Sequence, residues 1–314
     1  MLYLLLTLVA NAASLDLIEV GGAWGTPAAT DANAVFWNPA GLAVGDGTYF
    51  SVEVAPTLGT INTNRNHEYW GGEDQLKFNG VVPYIGVSSD FGHAPLGVGL
   101  SLSVPFARGG KSQNDPGPGR YHLREGGSQT IFATGAASYQ IKNLISIGAS
   151  LSFVHSQWDA LLDTETTTQL SEALCETSAD HCNNYAPTEA GDPPADYWIE
   201  DPNYATTLTF DGLKHNTFTF GTGIYVTPID MLGISISYMH GGTLKHAGPV
   251  NMDFDCPDSE DDPMGYIGAD LNGICDAKMS GDAIIEYKMP WRLNTGILLK
   301  PLKGSDKLQI EAMG

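Results

Sequence analysis

Residues 21–43 read GGAWGTPAATDANAVFWNPAGLA, a run of small and turn-forming residues that closes on Asn38-Pro39-Ala40-Gly41-Leu42 just before the first strand-like stretch. Gly21, Gly22, Gly25, Pro27 and Pro39 are costly inside a regular element, glycine through lost backbone entropy and proline through its missing N–H, so the run is compact irregular backbone. Such backbone must still pair its amides. At the head of a β-rich chain the lumen of a barrel supplies those partners, and the run is expected to be a plug enclosed by the strands downstream of it. A surface loop leading into the first strand is the alternative on composition alone. Within the run, the Asn38 side chain can bond nearby backbone while Pro39 fixes φ, which makes a rigid turn.

The chain has 314 residues, 42% of them apolar, enough for a core or a lipid-facing band. Lys and Arg total 15 against 36 Asp and Glu, a formal charge of -21 that repels nucleic acid and offers sites for divalent cations. No apolar window of about 18 residues follows the extreme N-terminus, so no helical membrane span is expected; strands of a transmembrane barrel escape such a scan because lipid-facing and lumen-facing residues alternate. Residues 1–12, MLYLLLTLVANA, have an apolar h-region and an Ala10-x-Ala12 pattern, which reads as a secretory signal lacking the usual basic residues, with a buried first strand as the weaker alternative. Export agrees with the cysteines. Cys175 and Cys182 share one polar stretch and Cys256 and Cys275 another, so two local disulfides are the simplest of three pairings; zinc is the rival, though neither pair has CxxC spacing.

Strand-like stretches fall at 47–58, 81–91, 96–106, 130–140, 145–155, 216–226, 232–240, 283–299 and 307–313, about nine in all. Period-two alternation puts Val98, Leu100, Leu102, Val104 and Phe106 on one face and Gly97, Gly99, Ser101, Ser103 and Pro105 on the other. The second face carries little side-chain volume, whereas a soluble sandwich fills its inward side. The segment 62–77 is polar, and long loops are expected at 107–127, 158–214 and 241–282. Long and short connections alternate, as in outer-membrane barrels with short periplasmic turns and long extracellular loops. Aromatics such as Tyr49, Phe50, Tyr84, Phe91, Phe106, Phe132, Tyr139, Tyr225 and Trp291 sit toward strand ends, where girdles at the two water interfaces would place them.

The pattern formed by Gly21, Ala23, Ala28, Asp31, Ala32, Phe36, Trp37 and Asn38 to Leu42 resembles the N-terminal hatch of the FadL group, the long-chain fatty-acid transporters of Gram-negative outer membranes. Residues 96–106 with their Pro105-Phe106 ending are similar to that family's third strand. Gly119-Arg120-Tyr121-His122 resembles its GRY segment, IKNLISIGASLSF (141–153) and TPIDMLGISISY (227–238) its turn-and-strand pattern, and MPWRLNTG (289–296) its later P-x-x-R-x-G strand, with the glycine one place further on. The resemblance implies an all-β, antiparallel transmembrane β-barrel with a hatch over 13–46 and a partial barrel over 47–314. The family's barrel has fourteen strands against about nine here, so a truncated gene product is expected, with a multi-chain barrel as the alternative.

The function implied is an outer-membrane channel that takes up long-chain fatty acids or other hydrophobic compounds by hatch movement and lateral release into the membrane. The hatch residues are Phe36, Trp37, Asn38, Pro39, Ala40 and Gly41, and the lateral opening would lie in the strand carrying Gly99, Pro105, Phe106 and Gly109. Pro105 cannot donate a ladder hydrogen bond, so that strand either bends away from its neighbour or ends there. Arg120, Lys214, Lys245 and His246 are candidates to meet a fatty carboxylate, in competition with the surrounding acids. The acidic run 253–276, with Asp270-Leu271-Asn272-Gly273, resembles calcium loops without EF-hand spacing; a solvated loop is favoured over calcium or divalent bridging of lipopolysaccharide. Partners implied are the hydrophobic ligand, outer-membrane lipids and lipopolysaccharide, with no nucleic acid and a monomer if full length. An outer-membrane lipase or protease is the rival, with His155, Ser156 and Asp159 as its local cluster, and a structural or adhesive barrel is the third reading.

Overall fold

A computed structural model describes residues 25–66, 71–92, 95–164, 205–254, 278–299 and 310–313. Outside them lie the signal-like segment 1–12, residues 13–24 of the plug, all four cysteines and all of the acidic run except Asp253 and Phe254. A short helix α1 (Ala34–Trp37) and a 3-10 turn (Pro39–Ala43) precede eleven strands: β1 (Thr48–Arg65), β2 (Gly72–Ser89), β3 (Leu96–Ser112), β4 (Glu125–Ile141), β5 (Ile145–Thr164), β6 (Thr206–Ile229), β7 (Leu232–Met239), β8 (Gly242–Phe254), β9 (Lys278–Met289), β10 (Arg292–Leu299) and β11 (Ile310–Met313). All ladders are antiparallel, in the order β1-β2-β3-β4-β5-β6-β7-β10-β11, with β8 and β9 paired to one side.

Among the described residues the expected count of about nine strands becomes eleven because two ribbons are interrupted. Along β6, Gly221–Ile229 pairs with β7 and Thr206–Lys214 with β8, so β7 and β8 lie end to end on one neighbour. The partner ribbon, β9 followed by β10, breaks at Pro290-Trp291, where proline has no N–H to offer a ladder. The loop expected at 241–282 is therefore corrected at its two flanks, 242–254 and 278–282, which are strand, while 255–277 lies outside the described residues. The same correction applies elsewhere. β1 and β2 occupy much of 62–77, β3 runs to Ser112, β5 to Thr164, and β6 starts at Thr206. At about 3.3 Å per residue, the 24 residues of β6 extend roughly 80 Å along the strand, and even at a 45° tilt they overshoot a hydrocarbon core of about 30 Å. The strands stand well clear of the bilayer, and there both faces meet water, so the apolar alternation that marks a strand fades.

The two faces of the sheet are inverted relative to a soluble protein. Leu100 and Leu102 are 63% and 50% exposed, while Ser101 and Ser103 between them are 9% and 1% exposed. On β10 the buried inward positions are Arg292, Asn294, Gly296 and Leu298 and the exposed ones include Leu293, Ile297 and Leu299. Inward hydroxyls pair across β4 and β5, Thr130 with Ser156 and Thr134 with Ser152, each at 2.8 Å. An apolar outside over a polar, small-residue inside is the arrangement a bilayer demands and water forbids. Of the aromatics assigned to girdles, Tyr49, Phe50, Phe91, Tyr139 and Trp291 are exposed, whereas Tyr84, Phe132 and Tyr225 are buried on the inner face.

Candidate functional site

The inner face is small because a chain segment lies against it. A Cβ on Gly97 would come within 2.3 Å of Leu42 backbone, one on Gly148 within 2.4 Å of Ala40, and one on Gly99 within 2.4 Å of the Val35 side chain. Residues 28–43 are mostly buried there. Their irregular backbone is satisfied from the wall: Ser146 Oγ donates to Ala40 O and Ser237 Oγ to Trp37 O, each at 2.6 Å, and Tyr84 Oη to Ala32 O at 2.6 Å. Asn38 sits at the centre, fully buried. Its Oδ1 accepts from Ala40 N at 3.0 Å, closing the turn that Pro39 begins, and its Nδ2 donates to Ile224 O of β6 at 3.2 Å. A Cβ on Gly223 would stand 1.9 Å from that Oδ1. Asn33 Nδ2 donates to Glu53 Oε1 at 2.8 Å, and Asp31 caps the Asn33 amide at 2.9 Å. Burial, with the nearby Glu53 charge, raises the Asp31 carboxyl above its ordinary value even though the Asn33 amide pulls the other way.

The wall beside this segment is broken between β2 and β3. β2 and β3 pair from Tyr84↔Ser103 to Ser89↔Val98 and again at Leu76↔Ser112 and Lys77↔Lys111, but not between. On its other side β3 advances from Ser103↔Phe132 to Phe106↔Thr130, so Val104 and Pro105 face the single residue Ile131 of β4. That is a β-bulge, placed where proline cannot donate. The extra residue reverses the alternation expected for this strand. Phe106 turns inward onto Phe132, ring centroids 6.1 Å apart, instead of lying on the outer face with Leu100 and Leu102.

A cavity of about 330 Å³ fills the seam. One side is formed by Thr57, Phe78 and Val82, which share the inner face of β1 and β2; the other by Ala107, Gly109, Gln129, Gln157 and Asp159. These last alternate with the inward Phe106, Thr130 and Ser156 and so belong to the outer face of β3 to β5. Inner face on one side and outer face on the other describes a slot through the wall. Leu58 and Val81, exposed beside it, show that the apolar band reaches this level. A second cavity of about 490 Å³ continues the seam toward the polar strand ends, lined by Lys77, Lys111, Glu125 and Asp211 among others.

Inside the lumen, Phe132, Val154, Leu244 and Met289 form a buried apolar cluster joined by Phe106, Met239 and Tyr287. On one side of it His246, 3% exposed, places Nε2 2.8 Å from Ser156 Oγ. On the plug side is Arg292, whose guanidinium carbon lies 5.0 Å from the Phe36 ring centroid and 5.9 Å from that of Phe106, with Nη2 3.5 Å from Met239 Sδ.

Of the basic residues singled out in the sequence, only His246 is in the lumen. Lys245 is exposed and ion-paired with Glu286 at 2.7 Å, Lys214 is exposed on the outer face of β6, and Arg120 donates from Nε to Gly117 O at 3.0 Å in the turn between β3 and β4. Gly109 lines the slot, whereas Gly99 faces the plug. His155, Ser156 and Asp159 do not converge: His155 bonds Asn216 at 2.7 Å, Ser156 points inward, and Asp159 lines the slot. Arg292 entered the sequence reading only as part of a motif. The alternation of Arg292, Asn294 and Gly296 against Leu293 and Ile297 was the signal that places it inside.

A sequence profile of the family described as outer membrane protein transport protein (OMPP1/FadL/TodX) matches residues 8–312. The chain belongs to this family. Its FadL/TodX membership agrees with the apolar outside of the barrel wall and places it in the outer membrane of a Gram-negative bacterium. Among solved structures it is similar to a Pseudomonas aeruginosa FadL homologue, with 17% identity and a TM-score of 0.67, covering 93% of this chain and 65% of that one. It is also similar to the Ralstonia pickettii toluene transporter TbuX (15% identity, TM-score 0.53, 90% and 65% covered) and the Pseudomonas putida toluene transporter TodX (15%, 0.53, 86% and 62%). The chain thus spans just under two thirds of the length of these FadL/TodX-type structures. No curated protein sequence matches it.

Proposed function

We propose that this protein is a conduit for hydrophobic compounds, long-chain fatty acids or other hydrocarbons, from the cell exterior into the outer membrane. Cargo enters among the extended strand ends, lodges against the apolar cluster of Phe106, Phe132, Val154, Leu244 and Met289, and leaves sideways through the slot between β2 and β3 when the plug shifts. The slot is the observation that carries this reading: it joins inner-face to outer-face residues at the level of the apolar band, so a compound passing it never has to cross the plug end. Lipids and lipopolysaccharide of the outer membrane border the slot and receive the cargo. Gly80 offers a direct test, because it lines the cavity and a Cβ there meets no atom within 4 Å. Gly80→Trp is expected to fold, to bind a hydrophobic probe as wild type does, and to lose most uptake of it into membrane vesicles. Undiminished uptake with the slot filled would refute lateral release.

A further inference from the structure

We propose that the outer faces of β6, β8 and β9 bind the phosphorylated sugar headgroup of lipopolysaccharide, through a diagonal of three lysines, Lys214, Lys245 and Lys288, standing just outside the hydrocarbon layer. The outward side chains locate the edge of that layer. On β5 the exposed Ile145, Ile147, Leu151 and Phe153 are followed by His155, and on β6 Ile224, Phe220 and Phe218 are followed by Asn216 and Lys214. Rings mark the edge: Phe153 meets Phe218 with centroids 5.5 Å apart, His240 stacks on Phe220 at 4.9 Å, and Trp291 is exposed. This is the end of the strands away from the short turns 142–144 and 230–231, so it faces the cell exterior.

Register then brings the lysines together. Lys214 pairs with Ala247, two residues from Lys245, and Lys245 pairs with Glu286, two residues from Lys288. Diagonal neighbours of this kind lie about 7–8 Å apart, and all three side chains are on the exposed face. The diagonal descends toward the membrane, with Lys288 opposite Thr243 and nearest the rings. Lys245 is bonded to Glu286 at 2.7 Å, which leaves the positive charge of the patch in excess; the next acids on this face among the described residues, Asp159, Asp211 and Asp282, lie further outward. Neighbouring like charges repel, so a cationic diagonal on a chain of formal charge -21 is explained by an anion that it meets. The outer leaflet supplies one of matching shape. Acyl chains of a lipid A lie along the exposed apolar band, its phosphates reach the lysines as point charges, and its sugar hydroxyls can donate to Glu286. A soluble anion would meet the lysines alone and forgo the apolar band.

The test uses the full chain, folded in detergent micelles and titrated with diphosphoryl lipid A, with the same lipid stripped of its phosphates, and with phosphatidylglycerol. Wild type should bind the diphosphoryl form roughly tenfold or more tightly than either of the others, and excess inorganic phosphate should not displace it. Lys214→Gln, Lys245→Gln and Lys288→Gln should each weaken that binding about fivefold and the triple variant about thirtyfold or more, with binding of the stripped lipid unchanged. Lys142→Gln, in the turn at the opposite end of β5, should change nothing. Equal binding of the phosphorylated and stripped lipids by wild type, a readout that needs no variant to fold, would overturn the inference. So would phosphatidylglycerol binding as tightly as lipid A, displacement by inorganic phosphate, or a triple variant that loses both lipids alike. The triple variant should still carry a hydrophobic probe into vesicles, because the slot lies between β2 and β3, so failure of this site leaves the transport route standing.

Discussion

The contact between Asn38 and Gly223 allows the docking of the plug to be measured as a pair energy. Asn38→Ala removes the Oδ1 that accepts from Ala40 N and the Nδ2 that donates to Ile224 O. Leaving the buried Ala40 amide without its acceptor costs about 1–3 kcal/mol, and losing the second bond about 1 kcal/mol more. Together roughly 2–4 kcal/mol lowers the docked-to-undocked ratio of the plug by about 30- to 1000-fold. Gly223→Ala attacks the same contact from the wall side, because its Cβ would lie 1.9 Å from Oδ1 and 2.9 Å from Cγ of Asn38. Each single variant should therefore speed hydrogen exchange of residues 36–44 by a similar factor. Once Asn38 is alanine the atoms that the new methyl strikes are gone, so the double variant should behave like Asn38→Ala alone, a coupling of about 2 kcal/mol or more. Effects that add to within about 0.5 kcal/mol, or unchanged exchange in either single variant, would show that the plug is not held by this contact.

Asp31 should make docking pH-dependent. Its carboxyl is raised in the docked state, chiefly by burial, so the docked plug holds a proton that the released one gives up, and docking weakens as pH rises through the window above the ordinary aspartate value of 3.8. Exchange of residues 36–44 should slow as pH is lowered into that window once the intrinsic pH dependence is removed, and Asp31→Asn should abolish the change. Asp74, near the polar end of β2, behaves oppositely. Burial alone would raise its carboxyl, but the Ser112 hydroxyl and the amides of Gln75, Asn114 and Gly119 together hold it below 3.8. Its stabilisation is complete above that value and is lost as pH falls through the depressed one. Limited proteolysis within 113–120 should therefore increase on acidification below about pH 4, and Asp74→Ala should show the higher susceptibility at neutral pH.

Much of the fold could be read from residues whose chemistry admits few settings. Asn38-Pro39-Ala40-Gly41 announced a tight turn that needs partners, and Gly97, Gly99, Ser101 and Ser103 announced an inner face too slight to make a core; the structure puts one against the other. Three features were hidden for physical reasons. The bulge at Val104-Pro105 costs one residue of register, which no alternation count detects, and it carried Phe106 from the outer face to the lumen. Beyond the bilayer, strands such as Thr206–Lys214 and Gly242–Phe254 lose their apolar side and imitate loops. Arg292 was concealed by the break at Pro290-Trp291, which resets the alternation just before it. Lys214 and Lys245 misled because charge on an outward strand position above the membrane looks the same in sequence as charge in a pocket.

Photolabelling tests the central claim most directly. A fatty acid carrying a photoreactive group at its tail, loaded onto wild-type protein in lipid bilayers and irradiated, should mark peptides holding Phe78 and Val82 together with those holding Ala107 and Gln129, and Gly80→Trp should erase both sets. Labels confined to the outward leucines and isoleucines of β5 to β7, unaffected by filling the slot, would contradict passage through the wall.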